Sequence, residues 1–158
     1  MDLENVTIRP MEIEDYDQVR KLWMSIGRLG IRSIDDSREE VARFIQRNPT
    51  TSVVALMDGK IVGTILCGSD GRQGALYHVC VQKKYRRKGI GHAMVVYCMN
   101  ALNEQHINKV TLIAFKGNDV GNAFWNKIGW THRQDINYYE FILNDENITL
   151  FNEAEEQD

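Results

Sequence analysis

The sequence predicts an α/β (α+β) domain in which a mixed, mostly antiparallel sheet is flanked by helices. Three observations lead there. Apolar spacing switches between helical and alternating periods, giving the order β, α, α, β, β, β, α, β, α, β. Two β-branched runs flank Asp58-Gly59, the dipeptide that favours a tight antiparallel hairpin. A later strand runs through a glycine-rich turn into a helix and a further apolar strand, which is a βαβ unit.

Taken in order, "VTIRPM" alternates and is ended by Pro10, so it reads as a first strand. "EIEDYDQVRKLWMSI" places Tyr16, Val19, Leu22, Trp23 and Ile26 on one helical face, with acids at its start to suit the helix dipole. Gly27 and Gly30 break that helix, and "GRLGIRS" is a glycine-punctuated connection suited to lining a pocket. "SIDDSREEVARFIQRNP" is a second helix, capped by Asp36 or Ser37, buried through Val41, Phe44 and Ile45, and stopped at Asn48-Pro49. "SVVALMDGKIVGTILCG" supplies strands two and three, and "ALYHVCVQ" is strand four. "HAMVVYCMNALNEQ" has helical spacing through Met94, Val95, Cys98, Met99 and Leu102. "KVTLIAF" is a nearly continuous apolar run that suits a fifth strand buried on both faces. "NDVGNAFWNKIGW" reads as a helix ending at Gly129, and "INYYEFIL" as a closing strand.

The length of 158 residues suits one domain, read here as residues 1–143 followed by an acidic tail, 144–158. Apolar content of 43% with 26% charge argues against wholesale disorder. The net charge of -3 conceals an asymmetry, because the tail holds six acids and no Lys or Arg, which leaves the body mildly basic. That balance fits a modest polyanion better than a nucleic-acid duplex. The tail is expected to be a solvated terminus, with Ile148, Leu150 and Phe151 as the residues by which it would dock on its own domain or a second subunit. No signal pattern or bilayer-length apolar run is visible, so the expectation is a cytoplasmic protein without a membrane partner. Cys67, Cys80 and Cys98 are odd in number, lie in apolar segments and lack C-x-x-C spacing, so they read as buried free thiols and no metal site is expected.

The chemistry concentrates where strand four ends. "KKYRRKGIG" packs five cations around Tyr85 and then enters a helix through Gly89 and Gly91. Helix N-terminal amides attract anions, and glycines let a phosphate approach the backbone. The chain has neither G-x-x-x-x-G-K-[ST] nor the three-glycine dinucleotide fingerprint. Arg86-x-x-Gly89-x-Gly91 instead resembles the acyl-CoA pyrophosphate loop of the GNAT N-acetyltransferase superfamily. The surrounding order is similar too: Val79-Cys80-Val81 before the loop, then "KVTLIAF", Asn118-x-x-Gly121 where the family has N-x-x-A, and Trp125-x-x-x-Gly129-Trp130 where it has Y-x-x-x-G-F. The resemblance covers residues 6–143, and within the family "GSDGRQGALYHVCV" resembles the small bacterial branch related to YpeA.

The resemblance implies the GNAT fold, with predicted strands four and five splayed, and acetyl-CoA as cosubstrate. It places the backbone of Val79, Cys80 and Val81 against the pantetheine arm, with an amide there polarising the thioester carbonyl. Backbone amides of Arg87, Lys88, Gly89, Ile90, Gly91 and His92 would cradle the pyrophosphate, with Arg86 among the supporting cations, and Asn118 would bond to the pantetheine or orient the sulfur end. Trp125 stands where the family commonly has a tyrosine acid, and an indole N–H does not deprotonate at neutral pH. Another hydroxyl, water, or unaided departure of a thiolate of pKa about 8.5 would have to serve.

The base is less defined. Strand five has no carboxylate, and alternation on strand four sets Tyr77, Val79 and Val81 against Leu76, His78 and Cys80. Tyr77 then reads as a pocket or water-positioning residue. His78 has the pKa of a base, while alternation faces it away and makes it a packed strand histidine. Asp70 and Glu140 are further carboxylates without spacing support, Trp125 and Trp130 read as core, and Trp23 as core or pocket wall. Cys80 has no sequence-evident activating base, which favours direct transfer over an acyl-enzyme.

The function that follows is acetyl transfer from acetyl-CoA to a primary amine of a small molecule or peptide. The alternative is an acyl-CoA-binding regulatory module without turnover. Nucleic acid is disfavoured because the cations sit in one short loop. "GRLGIRSIDD", with Arg28, Arg32, Asp35 and Asp36, and "INYYEFIL" are expected to read the acceptor, and a homodimer through the last strand or tail is a further expectation.

Overall fold

The computed structural model describes residues 3–152. The elements in order are β1 (Val6–Pro10), α1 (Tyr16–Ser25), β2 (Gly30–Arg32), α2 (Arg38–Arg47), β3 (Val53–Met57), β4 (Lys60–Ser69), β5 (Gly74–Val81), α3 (Ile90–Glu104), β6 (Val110–Leu112), α4 (Asp119–Lys127) and β7 (Thr149–Phe151). Single 3-10 turns precede α1 at Ile13–Asp15 and follow β5 at Lys83–Tyr85. The main sheet has the order β1-β3-β4-β5-β6, antiparallel except for the parallel β5–β6 pair. β2 and β7 form a second, two-stranded antiparallel sheet.

Two apolar layers hold the helices to the sheet. On one face Tyr16, Val19, Leu22 and Trp23 of α1 and Val41 of α2 pack with Val54, Ile61, Leu66 and Cys80. On the other, Met94, Val95, Cys98 and Leu102 of α3 pack with Val53, Val62, Ile65, Cys67 and Leu76. The helical spacing of these side chains on α1 and α3 is therefore their burial pattern, and each fully buried aliphatic contributes about 1.5–3 kcal/mol. Ser37, one of the two anticipated caps, takes the N-cap of α2 and accepts the Glu40 N–H at 3.3 Å. The Asp58-Gly59 turn has φ of 52° and 76°, the double left-handed geometry whose twist suits a two-residue hairpin. All three cysteines are free and buried.

β5 carries an irregularity that strict alternation does not anticipate. Its register with β4 passes from Thr64↔Cys80 to Leu66↔Tyr77, so His78 and Val79 together oppose Ile65. His78 has φ of 49°, left-handed for a branched aromatic residue. This bulge resets the phase of the strand. Val79 and Val81 stay on the α3 face with Leu76, whereas Tyr77 packs on Phe44 of α2 and His78 on Trp23 of α1. Tyr77 therefore lies opposite Val79 and Val81 instead of alongside them, and His78 joins Tyr77 on the α1–α2 face.

Other sequence expectations are corrected by pairing between distant segments. "KVTLIAF" is not a long strand buried on both faces: only Val110–Leu112 pairs, at the sheet edge, and Ile113 and Phe115 are 74% and 59% exposed. "INYYEFIL" forms no strand, because no edge among the described residues of this chain pairs with it. The "GRLGIRS" link instead contains β2, whose partner comes from the region expected to be a solvated tail. Asn147 Oδ1 accepts the Ile34 N–H at 2.9 Å, and Ser33 N–H donates to the Ile148 carbonyl at 2.8 Å. Asn152 Nδ2 donates to the Trp23 and Ile26 carbonyls at 3.1 and 3.0 Å, closing the end of α1.

Candidate active site

The site grows from the parting of two strands. β6 pairs with β5 at Gly74, Ala75 and Leu76 and no further, while β4 stays paired with β5 as far as Val81. From Tyr77 onward β5 has therefore lost its β6 neighbour, and the splay expected of predicted strands four and five is present as β5 and β6. A strand edge left open on one side can accept an extended ligand as a further strand.

The same strand leads directly into the basic loop. Arg86 Nε donates to the Val81 carbonyl at 2.9 Å, and the Lys84 and Lys88 ammonium groups sit 5.2 and 5.7 Å from the centre of the Tyr85 ring. The run is thus folded around Tyr85 and tied to the strand end. Arg87 and Gly89 have φ of 63° and 87°, and α3 begins at Ile90 with Gly89 as its N-cap. Left-handed residues on either side of Lys88 make a tight turn, and turns with left-handed residues are a common way to gather successive amides around an anion. The first intrahelical bond is Ala93 N–H to the Gly89 carbonyl, which leaves the Ile90, Gly91 and His92 amides without helical acceptors. The Ile90 side chain is buried in the α3 layer, so its contribution to the cradle is its amide. A Cβ on Gly91 would stand 3.4 Å from the Phe124 ring and 3.7 Å from Val81, so a larger residue would crowd the start of α3. Free amides, paired left-handed residues and cations fit a pyrophosphate.

Asn118 caps α4, its Oδ1 accepting the Gly121 N–H at 3.0 Å. The oxygen is engaged in the fold, which leaves the carboxamide nitrogen for a ligand. Trp125 lies between Phe124 and Trp130, with ring centroids 4.9 and 4.8 Å away, and all three are partly buried against the α3 layer. This is the packing expected from their helical spacing.

His78 is held on the opposite face. Its Nε2 is 2.8 Å from Asp36 Oδ1, its ring centroid is 4.9 Å from that of Trp23, and its side chain is 16% exposed. Asp36 is buried, and its other oxygen accepts the Arg32 N–H at 2.6 Å. A carboxylate only accepts, so Nε2 carries a proton in this contact, and it is the neutral tautomer of that form that would keep a lone pair on Nδ1. Trp23 Nε1–H is buried beside this pair with no hydrogen-bond partner among the described residues. Sequence spacing does not reveal the Asp36–His78 contact, since 42 residues separate the two.

The remaining nominated groups are elsewhere or inert. Burial pushes the Cys80 thiol up to about 12, so it is a packing group rather than a nucleophile. Asp70 accepts the Arg72 and Gln73 amides in the β4–β5 turn, and the bond from Gln73, followed by that from Arg72, holds its carboxyl below the usual range. Glu140 is exposed in the irregular stretch after α4. Of the acceptor-reading residues, Arg32 pairs with Asp35 at 3.5 Å, and Asp36 turns inward to His78. Among the described residues, no group of three or more His, Cys, Asp or Glu could hold a metal ion.

A profile described as the acetyltransferase (GNAT) family matches residues 16–130, which takes in α1, the bulged strand, the loop and α4. The chain belongs to the GNAT acetyltransferase family. Solved structures share this GNAT fold at low identity. The PaiA N-acetyltransferase of Thermoplasma acidophilum in complex with coenzyme A has a TM-score of 0.68 at 19% identity, covering 78% of this chain and 88% of that one. An aminoglycoside acetyltransferase, meta-AAC0020, from an uncultured soil metagenomic sample in complex with sisomicin has a TM-score of 0.70 at 18% identity, covering 90% and 100%. The ribosomal-protein-alanine N-acetyltransferase of Brucella melitensis biovar Abortus 2308 has a TM-score of 0.66 at 19% identity, covering 87% and 99%. No helix among the described residues is long and apolar enough to cross a membrane.

Proposed function

We propose that this GNAT chain is an acetyl-CoA-dependent N-acetyltransferase that acts on a primary amine of a small molecule or peptide by direct attack. The observation that carries the reading is the loss of the β6 neighbour after Leu76 on a strand that ends at the Gly89 cradle. One open edge and one anion site, in series, match a ligand that is an extended amide arm ending in a pyrophosphate. The structural relatives captured with coenzyme A and with an aminoglycoside support that reading.

The residues divide the work as follows. Backbone groups of Val79, Cys80 and Val81 hold the pantetheine, and one amide among them polarises the reacting carbonyl. Amides of Arg87, Lys88, Gly89, Ile90, Gly91 and His92 hold the pyrophosphate, Arg86 fixes the strand end, and the Asn118 nitrogen steadies the sulfur end. Acetyl-CoA, when bound, supplies an activated acyl group that needs no enzyme nucleophile, consistent with the buried Cys80 thiol. His78 Nδ1 accepts the proton of the incoming ammonium, directly or through water, with Asp36 as the positioning residue. Tyr77, half exposed on the same face as His78, lines the acceptor approach. Trp125 supplies no proton, so the thiolate is protonated from water.

Calorimetric titration with acetyl-CoA, paired with CoA release across amino acids, polyamines, aminoglycosides and peptide N-termini, tests the proposal. Binding with turnover on at least one amine is expected. Tight binding without turnover on any amine would assign the acyl-CoA-binding regulatory role instead, and absence of binding would sink both.

A further inference from the structure

Four charged residues of the link between α1 and α2, Arg28, Arg32, Asp35 and Asp36, are nominated by the sequence to read the acceptor, and three of them are committed within the fold. Arg32 pairs with Asp35 at 3.5 Å. Asp36 is buried, with one oxygen on His78 Nε2 and the other on the Arg32 N–H. Arg28 is left, exposed, and among the described residues its guanidinium makes no hydrogen bond or ion pair. The charge that remains is positive, so the group it can read is an anion and not an amine.

Arg28 is held where that charge bears on the reaction. It follows α1 closely, two residues past the C-cap Ile26, and α1 covers His78 through Trp23. The Arg28 N–H donates to the Asn152 carbonyl at 2.6 Å, and Asn152 Nδ2 in turn closes the Trp23 and Ile26 carbonyls. The side chain reaches the other way, to the link between β6 and α4, where a Cβ on Gly117 would stand 3.3 Å from Arg28 Nη1. That separation is tighter than ordinary contact, so a glycine at 117 is what lets the guanidinium lie against this loop. The Phe115–Phe151 ring contact at 5.2 Å ties the same loop to β7, the partner of β2. Arg28 therefore spans the mouth of the gap that opens after Leu76, between the strand that carries His78 and the loop that leads to Asn118.

Its backbone is strained as well. Arg28 has φ of 61°, which glycine adopts freely, yet the glycines of this link stand at 27 and 30. Such strain persists only where the surroundings fix it, and it collects at positions that clamp ligands. Lys116 precedes Gly117 and adds a second cation to the loop, and Asp119, the first residue of α4, forms an ion pair with neither among the described residues.

We propose that Arg28 is a specificity-determining residue that binds a carboxylate on the acceptor, so that the amine acetylated here belongs to an amino acid or a similar small amino-carboxylate. The inference rests on acetyl transfer as the activity of this site. A guanidinium can hold a carboxylate through two parallel N–H···O bonds, which orients the rest of the acceptor as well as adding affinity. The same charge repels a second ammonium, so diamines are selected against.

Matched acceptors that differ only by the carboxylate test this: lysine against cadaverine, phenylalanine against phenethylamine, and β-alanine against ethylamine, all at saturating acetyl-CoA. The expected kcat/KM is about tenfold or more higher for the carboxylate member of at least one pair, the size of a charge-assisted contact, and the difference lies mainly in KM. Arg28→Gln should bring that ratio close to unity, Arg28→Lys should retain part of it, and Arg28→Glu should favour cadaverine over lysine. Calorimetric acetyl-CoA affinity and the unfolding midpoint show whether each variant is folded, and where one is not, the ratio in the unmodified chain decides. Decarboxylated amines that match or exceed their partners overturn the proposal and leave acetyl transfer in place. A carboxylate preference that Arg28→Gln leaves intact overturns it too, since another group then does the reading. Acetyl-CoA binding without turnover on any amine removes the activity on which the proposal rests, and the proposal with it.

Discussion

His78 Nε2 lies 2.8 Å from Asp36 Oδ1, joining the bulge of β5 to the turn before α2. The contact exists because His78 adopts φ of 49°, which swings the imidazole under Trp23. A left-handed non-glycine residue costs about 1–3 kcal/mol, and such strain is often retained where it places a functional group.

A packed histidine and a catalytic one differ in kinetics. His78→Gln is expected to lower kcat about 100-fold, the lower end of general-base effects, with acetyl-CoA affinity unchanged. Asp36→Asn should lower kcat about tenfold and displace the pH–rate profile, because the imidazole loses its orienting carboxylate. Steady-state kinetics across pH, with calorimetric acetyl-CoA affinities, reads both. Loss of thermal stability with kcat retained would make the pair structural.

At the anion cradle the backbone should matter more than charge. Gly89 has φ of 87°, and a Cβ on Gly91 would already be in van der Waals contact with the Phe124 ring, leaving no room for further branches on that side. A left-handed backbone costs an L-residue about 1–2 kcal/mol, so Gly89→Val should weaken acetyl-CoA binding about tenfold or more. Gly91→Val should act in the same direction by displacing the start of α3. Lys83→Gln and Lys84→Gln remove exposed charges and should each change the dissociation constant by less than about threefold. Calorimetry that ranked the lysines above the glycines would make "KKYRRK" a simple charge patch.

What the sequence could convey depended on how local each determinant is. The Asp58-Gly59 hairpin, the α1 and α3 stripes and the glycine entry to α3 are each written within a few neighbouring residues, and all are present. The bulge at His78 defeats alternation because one extra residue reverses every side chain on one side of it. "INYYEFIL" has strand propensity, but propensity does not name a partner. The Arg32↔Thr149 register and the Asp36–His78 contact join segments far apart in sequence, and neither leaves a periodic trace. The glycine entry to α3 was therefore readable, and the Asp36–His78 contact was not.

The β2–β7 pair makes a stability prediction. Asn152 Nδ2 satisfies two carbonyls at the end of α1, and its own backbone bonds to Arg28 and Leu29. Asn152→Ala leaves those α1 carbonyls short of a donor and should cost about 1–2 kcal/mol in denaturant unfolding. Truncation after residue 146 should cost more, since it also removes β7 and the Phe151–Phe115 ring contact at 5.2 Å. Unchanged midpoints in both would mean that the strap adds nothing to the stability of the domain.

A separate ion pair sets a pH dependence. Arg9 donates two hydrogen bonds to Asp15 at 2.7 and 2.8 Å, and Asp15 also accepts the Glu12 N–H at 2.9 Å. The Arg9 hydrogen bond, against an opposing burial effect, holds the Asp15 carboxyl below its ordinary 3.8. A depressed carboxyl binds protons more readily in the unfolded chain, so its contribution is present in full above that ordinary value. It disappears as pH falls through the lower folded value. Asp15→Asn should cost about 1–2 kcal/mol at neutral pH, toward the low side for charged hydrogen bonds because Arg9 is partly solvated. The difference between variant and unmodified chain should shrink toward zero as the carboxyl is protonated below about pH 4. Urea unfolding at neutral and acidic pH measures it, and a difference independent of pH would show that Asp15 stabilises the α1 entry through its shape rather than its charge.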